Sequence, residues 1–209
     1  MTSSALRSAT VGDGVVAAAT PYPWPYHGHF DPTRTALVAI LDRRWRCDGP
    51  AADACDTRLE QLATVLVERG GLIVAVTALP VRAGHPDPKW RLDSEGSIPP
   101  FGGRVAADVV VEAGGTSAFY ASTLDDVLRR AGRSDLVIAG WGLEGPVHST
   151  LRAANDRGFE CLLVADASSA IDPTLIHASS EMVRFSGGIF GACASTNDVL
   201  ATFGEPTDA

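Results

Sequence analysis

Residues 136–170 read LVIAGWGLEGPVHSTLRAANDRGFECLLVADASSA. An uninterrupted apolar run, LVIAG, breaks at Trp141 and Gly142 and gives way to a helical segment after Pro146. A second apolar run, CLLVAD, follows the Arg157-Gly158 turn. Strands buried on both faces read as continuous apolar stretches, and a helix joining two of them implies a parallel crossover.

The same unit recurs on either side. Upstream lie TALVAILD (35–42), a helix with Leu59, Leu62, Ala63 and Leu66 at helical spacing, and the strand GLIVAVTAL (71–79). A loop rich in Pro and Gly leads to ADVVVEA (107–113), and Ser122 or Thr123 seeds a helix containing Leu124 and Val127. Downstream come a helix from about 173 to 185 and the short GGIFGACAS. Alternation of this kind predicts a three-layer α/β/α, Rossmann-like sandwich around a central, mostly parallel sheet. The expected domain spans 34–209. Residues 1–33 form an extended N-terminal arm, because the cluster PYPWPY (21–26) suits neither a helix nor a central strand. Its aromatic rings should lie over the body or a neighbouring subunit.

Composition narrows the function. The 209 residues carry a net charge of -8 and a pI near 5.0, without the basic stripe that nucleic acid demands. No apolar run approaches the roughly 20 residues of a membrane span, and the expectation is a cytoplasmic protein. Cys47, Cys55, Cys161 and Cys193 lack CxxC spacing, and His27, His29 and His177 lack metal-ligand spacing, so no metal is expected. Neither GxGxxG after the first strand nor a phosphate-binding GxxxxGK[ST] is present, so no cofactor is expected.

In a doubly wound sheet, ligands bind beyond the carboxyl ends of the strands. The candidates there are Leu41 and Asp42, then 77–85, then Glu112 and Ala113, then 141–148.

Four stretches carry a family resemblance: PYPWPYHGHFDPTRTALVAILD (21–42), SAFYASTLDDVL (117–128), ANDRGFECLLVADASSAIDP (154–173) and SGGIFGACAS (186–195). Together they resemble the isochorismatase-like cysteine hydrolases, and within them the biuret and ureidoacrylate amidohydrolases. The resemblance implies an Asp ending the first strand, a Lys after the third and a nucleophilic Cys after the fourth. It also implies substrate contacts at His85, Trp90, Arg91, Phe119 and Trp141.

Here the Lys position is Ala113 and the Cys position is Pro146. An ungapped match puts Leu41 at the Asp position, whereas one inserted residue puts Asp42 there. Proline offers neither a thiol to attack a carbonyl nor an N–H for an oxyanion. Arg43, Arg44, Trp45 and Arg46 follow, either as a solvated, cation-presenting loop with Trp45 covering the sheet edge or as an anion-holding rim or contact surface for an acidic partner.

Two functions remain open. One is a catalytically inactive homologue, a binding or structural subunit in a homo-oligomer or in a hetero-oligomer with an active paralogue, with a small molecule as possible ligand. The other is a non-cysteine hydrolase or lyase acting on a small amide, ureido or vinyl-ether substrate through Asp42, Glu144 or His148.

Overall fold

The apolar run Thr35–Ile40 forms the first strand, β1, and all six of its residues are buried. Side chains alternate along a strand, so Leu37 and Ala39 enter one apolar layer while Ala36, Val38 and Ile40 enter the other. This computed structural model describes residues 14–78 and 106–203. Its remaining strands are β2 (Leu72–Ala78), β3 (Val109–Ala113), β4 (Asp135–Trp141), β5 (Glu160–Ser169) and β6 (Ala192–Ala194). All neighbours pair in parallel, in the order β3-β2-β1-β4-β5-β6. The order reverses between β1 and β4, and such a switch opens a crevice at the carboxyl ends of those two strands.

Helices cover both faces. On one side, α1 (Pro50–Glu68) buries Cys55, Leu59, Leu62 and Leu66, and α5 (Thr196–Phe203) adds Val199 and Phe203. On the other, α2 (Leu124–Arg130) contributes Leu124 and Leu128, α3 (His148–Asn155) contributes Leu151 and Ala154, and α4 (Leu175–Gly188) contributes Val183. The three-layer sandwich with a parallel sheet is therefore the observed architecture.

Boundaries differ where side chains intervene. β1 stops at Ile40 because Asp42 caps a 3-10 turn over Arg43–Trp45 by accepting the Arg44 N–H at 3.1 Å. α4 is helical through Arg184, after which Phe185 leaves the helical region at ψ 143°.

Residues 14–30 fold back on the body. Thr20 bridges Cys193 beside β6, Trp24 is fully buried, and Phe30 stacks on Phe203 with ring centroids 4.1 Å apart. Tyr26 remains 76% exposed. Among the described residues, no helix is long and apolar enough to cross a membrane.

Candidate active site

The turn after β4 takes its shape from two glycines and a proline. Gly142 adopts the left-handed region at φ 82°, which an L side chain rarely tolerates. From there Leu143–Val147 forms a wide π-type turn leading into α3. Its cause is local. Pro146 has no N–H to offer the Gly142 carbonyl four residues back, and the Val147 N–H reaches that carbonyl instead, at 3.1 Å. The bend uses trans geometry at Trp141-Gly142. The cis peptides among the described residues are Thr20-Pro21 and Trp24-Pro25.

Over this turn lies the indole of Trp45. A Cβ on Gly145 would stand 2.7 Å from the Trp45 Cζ2, and one on Gly142 would stand 2.7 Å from the Trp45 Cβ. Both positions lack side chains where the ring seats, and Pro146, which follows Gly145, is buried, its Cδ 2.8 Å from where a Cβ on Gly142 would stand. The loop after β1 therefore occupies the face of the turn that bears Pro146.

Arg44 and Arg46 of that loop spend their charges within the chain. Arg44 grips Asp42 through Nε to both carboxylate oxygens at 2.9 Å and through Nη2 at 2.5 Å. Arg46 pairs with Asp48 at 3.2 Å and Asp56 at 3.1 Å, and lies 5.4 Å from the centre of the Trp141 ring. Its hydrogen bond to Asp56 holds the guanidinium proton more firmly than usual. The indole N–H of Trp141 donates to the other Asp56 oxygen at 2.7 Å.

The three positions that the resemblance assigns to catalysis are distributed over the sheet. Leu41, 5% exposed, packs with Trp141 and Cys55 on the α1 side. Ala113 ends β3 and packs on the opposite side with Phe119, Leu143 and Val147. Pro146 sits in the turn between β4 and α3. Asp42, also 5% exposed, turns to Arg44.

Trp141 is buried beneath Arg46. Phe119 packs 5.8 Å from the Phe159 ring and under the Arg157 guanidinium, both on the segment that follows the carboxyl end of α3. His85, Trp90 and Arg91 lie outside the described residues.

Glu144 and His148 stand one helical turn apart and share a property. The Glu144 Oε1 accepts the N–H groups of Ile171 at 2.7 Å and Asp172 at 3.1 Å, while its Oε2 is buried without a hydrogen-bond partner. The Arg152 Nε lies 3.3 Å from the His148 Nδ1, and the His148 Nε2 is buried and unpartnered. Burial, then the Arg152 charge, lowers the imidazole's proton affinity. A neutral ring that accepts at Nδ1 carries its proton on Nε2, so the pair offers one unsatisfied donor and one unsatisfied acceptor.

The cysteines do not replace the missing thiol. Burial pushes Cys55 up to about 12 and Cys193 up to about 11, and holds Cys161 above the ordinary thiol range. Cys47 is only partly buried, on the loop before α1. Among the described residues, no group of three His, Cys, Asp or Glu side chains could hold a metal ion.

Sequence reading missed the seating of Trp45 and the Asp42–Arg44 clamp. The available signal was the pair Gly142 and Gly145 ahead of Pro146, two bare positions that make room for a large ring.

Solved structures share this fold. A cysteine hydrolase from Pseudomonas syringae pv. phaseolicola 1448A superposes with a TM-score of 0.71 at 17% identity, over 84% of this chain and 94% of that one. An isochorismatase family protein from Burkholderia thailandensis gives 0.66 at 24% identity, over 83% and 97%. The nicotinamidase PncA from Bacillus subtilis gives 0.66 at 20% identity, over 78% and 99%. At the level of sequence, the model of the isochorismatase domain matches residues 36–198, a span that runs from the second residue of β1 past β6 and includes the turn at Pro146. By that match, this chain belongs to the isochorismatase domain family.

Proposed function

We propose that this protein is a catalytically inactive member of its family, a binding or structural subunit for a small amide or ureido compound of the biuret or ureidoacrylate kind. An active paralogue would be its natural partner.

The turn at Pro146 carries this reading. Acyl transfer in a cysteine hydrolase needs a thiolate and an N–H aimed at the developing oxyanion. Pro146 supplies neither, and Trp45 lies against Gly142 and Gly145, which precede it in the turn. Ala113 presents a methyl group where an ammonium would assist. The ligand class is the one that the sequence resemblance implies, and an amide or ureido group carries both a carbonyl and an N–H, the partners that the His148 Nε2–H and the Glu144 Oε2 lack.

The other reading, a non-cysteine hydrolase or lyase, needs a free base. Arg44 holds Asp42, and Glu144 spends one oxygen on two backbone N–H groups.

The test is to incubate the purified protein with biuret, ureidoacrylate, nicotinamide, maleamate and isochorismate, measuring turnover and, by calorimetry, binding. No turnover is expected, together with saturable binding of a ureido compound that weakens about tenfold or more in His148→Ala. Turnover that disappears in Asp42→Ala or His148→Ala would overturn the proposal in favour of the second reading. Activity appearing only when a paralogue with intact Asp, Lys and Cys is added would support the subunit role.

A further inference from the structure

His148 and Arg152 stand four residues apart on α3 and so share one face of the helix. The Arg152 Nε lies 3.3 Å from the His148 Nδ1, and the guanidinium carbon lies 4.1 Å from the centre of the Phe190 ring. Phe190 is itself held. It packs against the core layer that contains Leu151 and Ala154, and Gly191 after it runs so close to β5 that a Cβ there would collide with the Cys161 carbonyl. A cation over a ring face is attracted to it, so Phe190 limits where the guanidinium can go.

Arginine carries N–H donors and no acceptor, so the ring nitrogen it meets must present a lone pair. That leaves the single proton of a neutral imidazole on Nε2. A second proton, on Nδ1, would point an N–H at a cation 3.3 Å away and break the contact. Of the other groups on this side of the fold, Glu144 gives Oε1 to the N–H groups of Ile171 and Asp172, and Asp172 gives Oδ1 to Thr174. The residues that α4 buries as it packs on the turn, Ser179, Ser180 and Val183, are uncharged. His148 is 8% exposed, and burial together with the Arg152 charge lowers its proton affinity.

We infer that Arg152 is a positioning residue: seated on Phe190, it fixes His148 as a neutral ring with its proton on Nε2, and so makes His148 select a ligand that presents a hydrogen-bond acceptor, such as the carbonyl of an amide or urea. The selection rests on the functional proposal above, in which His148 meets the ligand; the state of the ring does not. Arg152 acts through His148 and needs no contact with the ligand itself. The arrangement also keeps the donor in one form across the range in which a free imidazole exchanges protons, near pH 6.5.

Long-range proton–nitrogen NMR of the 15N-labelled protein tests it, with the His148 signals identified among those of the five histidines by their loss in His148→Gln. At pH 7 the wild type should show a proton on Nε2 and a bare Nδ1. Two variants at this exposed position separate hydrogen bond from charge. Arg152→Gln places an amide nitrogen at the same point along the side chain as the Arg Nε, so the Nε2–H form should persist while the ring titrates at a higher pH than in the wild type. Arg152→Met offers neither donor nor charge, so a form protonated on Nδ1 should appear and the titration should again move up. Calorimetry with biuret follows the consequence: affinity at pH 8 should fall at least about threefold in Arg152→Met and recover at pH 6, where an imidazolium donates from Nε2 once more. A wild-type ring protonated on Nδ1, or a tautomer and titration unchanged in Arg152→Met, would overturn the inference, and equal biuret affinity in wild type and Arg152→Met at pH 8 would overturn the selection. If biuret and ureidoacrylate both fail to bind the wild type while the NMR signatures hold, the functional proposal fails and the hold of Arg152 on His148 stands.

Discussion

At the carboxyl end of β1, ionisable groups are matched close by: Asp42 with Arg44, and Arg46 with Asp48 on the same loop and Asp56 on α1. At the amino ends of β4 and β5, two carboxylates stand side by side in register, Asp135 opposite Glu160. Asp135 is 1% exposed, with His27 at 3.4 Å and the Ser134 hydroxyl at 3.1 Å. Glu160 accepts from the Tyr22 hydroxyl at 3.2 Å and the Tyr26 N–H at 3.1 Å. Burial above all, and then Asp135, raises its proton affinity, while the Tyr22 phenol is raised well above its own usual range. In a doubly wound fold, ligand chemistry belongs at the carboxyl ends. Here the loop after β1 is neutralised internally, and the unbalanced carboxylate pair sits at the opposite end of the sheet, where it fastens residues 20–27. A perturbed group thus marks a clasp between segments as readily as a catalytic centre.

The largest expected effect breaks the matched end. Arg44→Met would leave the Asp42 carboxylate buried without its guanidinium, at a cost of about 2–4 kcal/mol in urea unfolding. Asp42→Asn added to it should recover most of the loss, and a single variant as stable as the wild type would show that the clamp contributes nothing.

A smaller loss, about 1–3 kcal/mol, is expected for Gly145→Ala, whose Cβ would press into the Trp45 ring. In a double-mutant cycle with Trp45→Ala the two effects should couple. Simple additivity would place the indole elsewhere in solution.

Two pH dependences sharpen the contrast, because their signs are opposite. Folding raises the Glu160 pKa, so its contribution to stability is complete below the unfolded value of about 4.3 and is lost as pH rises through the folded one. Relative to Glu160→Gln, the wild type should therefore lose thermal stability as pH rises from about 4 to 7. Folding lowers the His148 pKa, so its contribution is present above about 6.5 and is lost as pH falls through the folded value. Relative to His148→Gln, the wild type should weaken between about pH 7 and 5, the smallest change of the four. Parallel melting curves in either comparison would show that the group is solvated like its unfolded counterpart.

Much of the sheet was legible because double burial leaves a plain mark: LVIAG, CLLVAD and TALVAI are apolar throughout and each becomes a strand. Their ends were less legible. Leu41 and Asp42 read as lying just past the first strand, yet nothing in TALVAILD announces that the Asp42 side chain caps the turn that follows. The candidate site was legible as positions and not as contacts. Pro146 and Ala113 announce missing groups by residue type alone. That Leu41 packs with Trp141, that Phe119 packs with Phe159, and that Trp45 lies on Gly145 depend on side-chain directions that no spacing encodes.

By itself, the sequence determined the parallel sheet, the acidic character and the identity of every side chain at the strand ends. Periodicity and residue type are local properties that survive without coordinates. Only the tertiary structure decided which of those side chains meet. Trp45 and Gly145 are a hundred residues apart and come together because β1 and β4 are neighbours at the switch in strand order. Leu175, Met182 and Phe185 look like core residues in the sequence and become surface only because α4 turns its serines to the sheet.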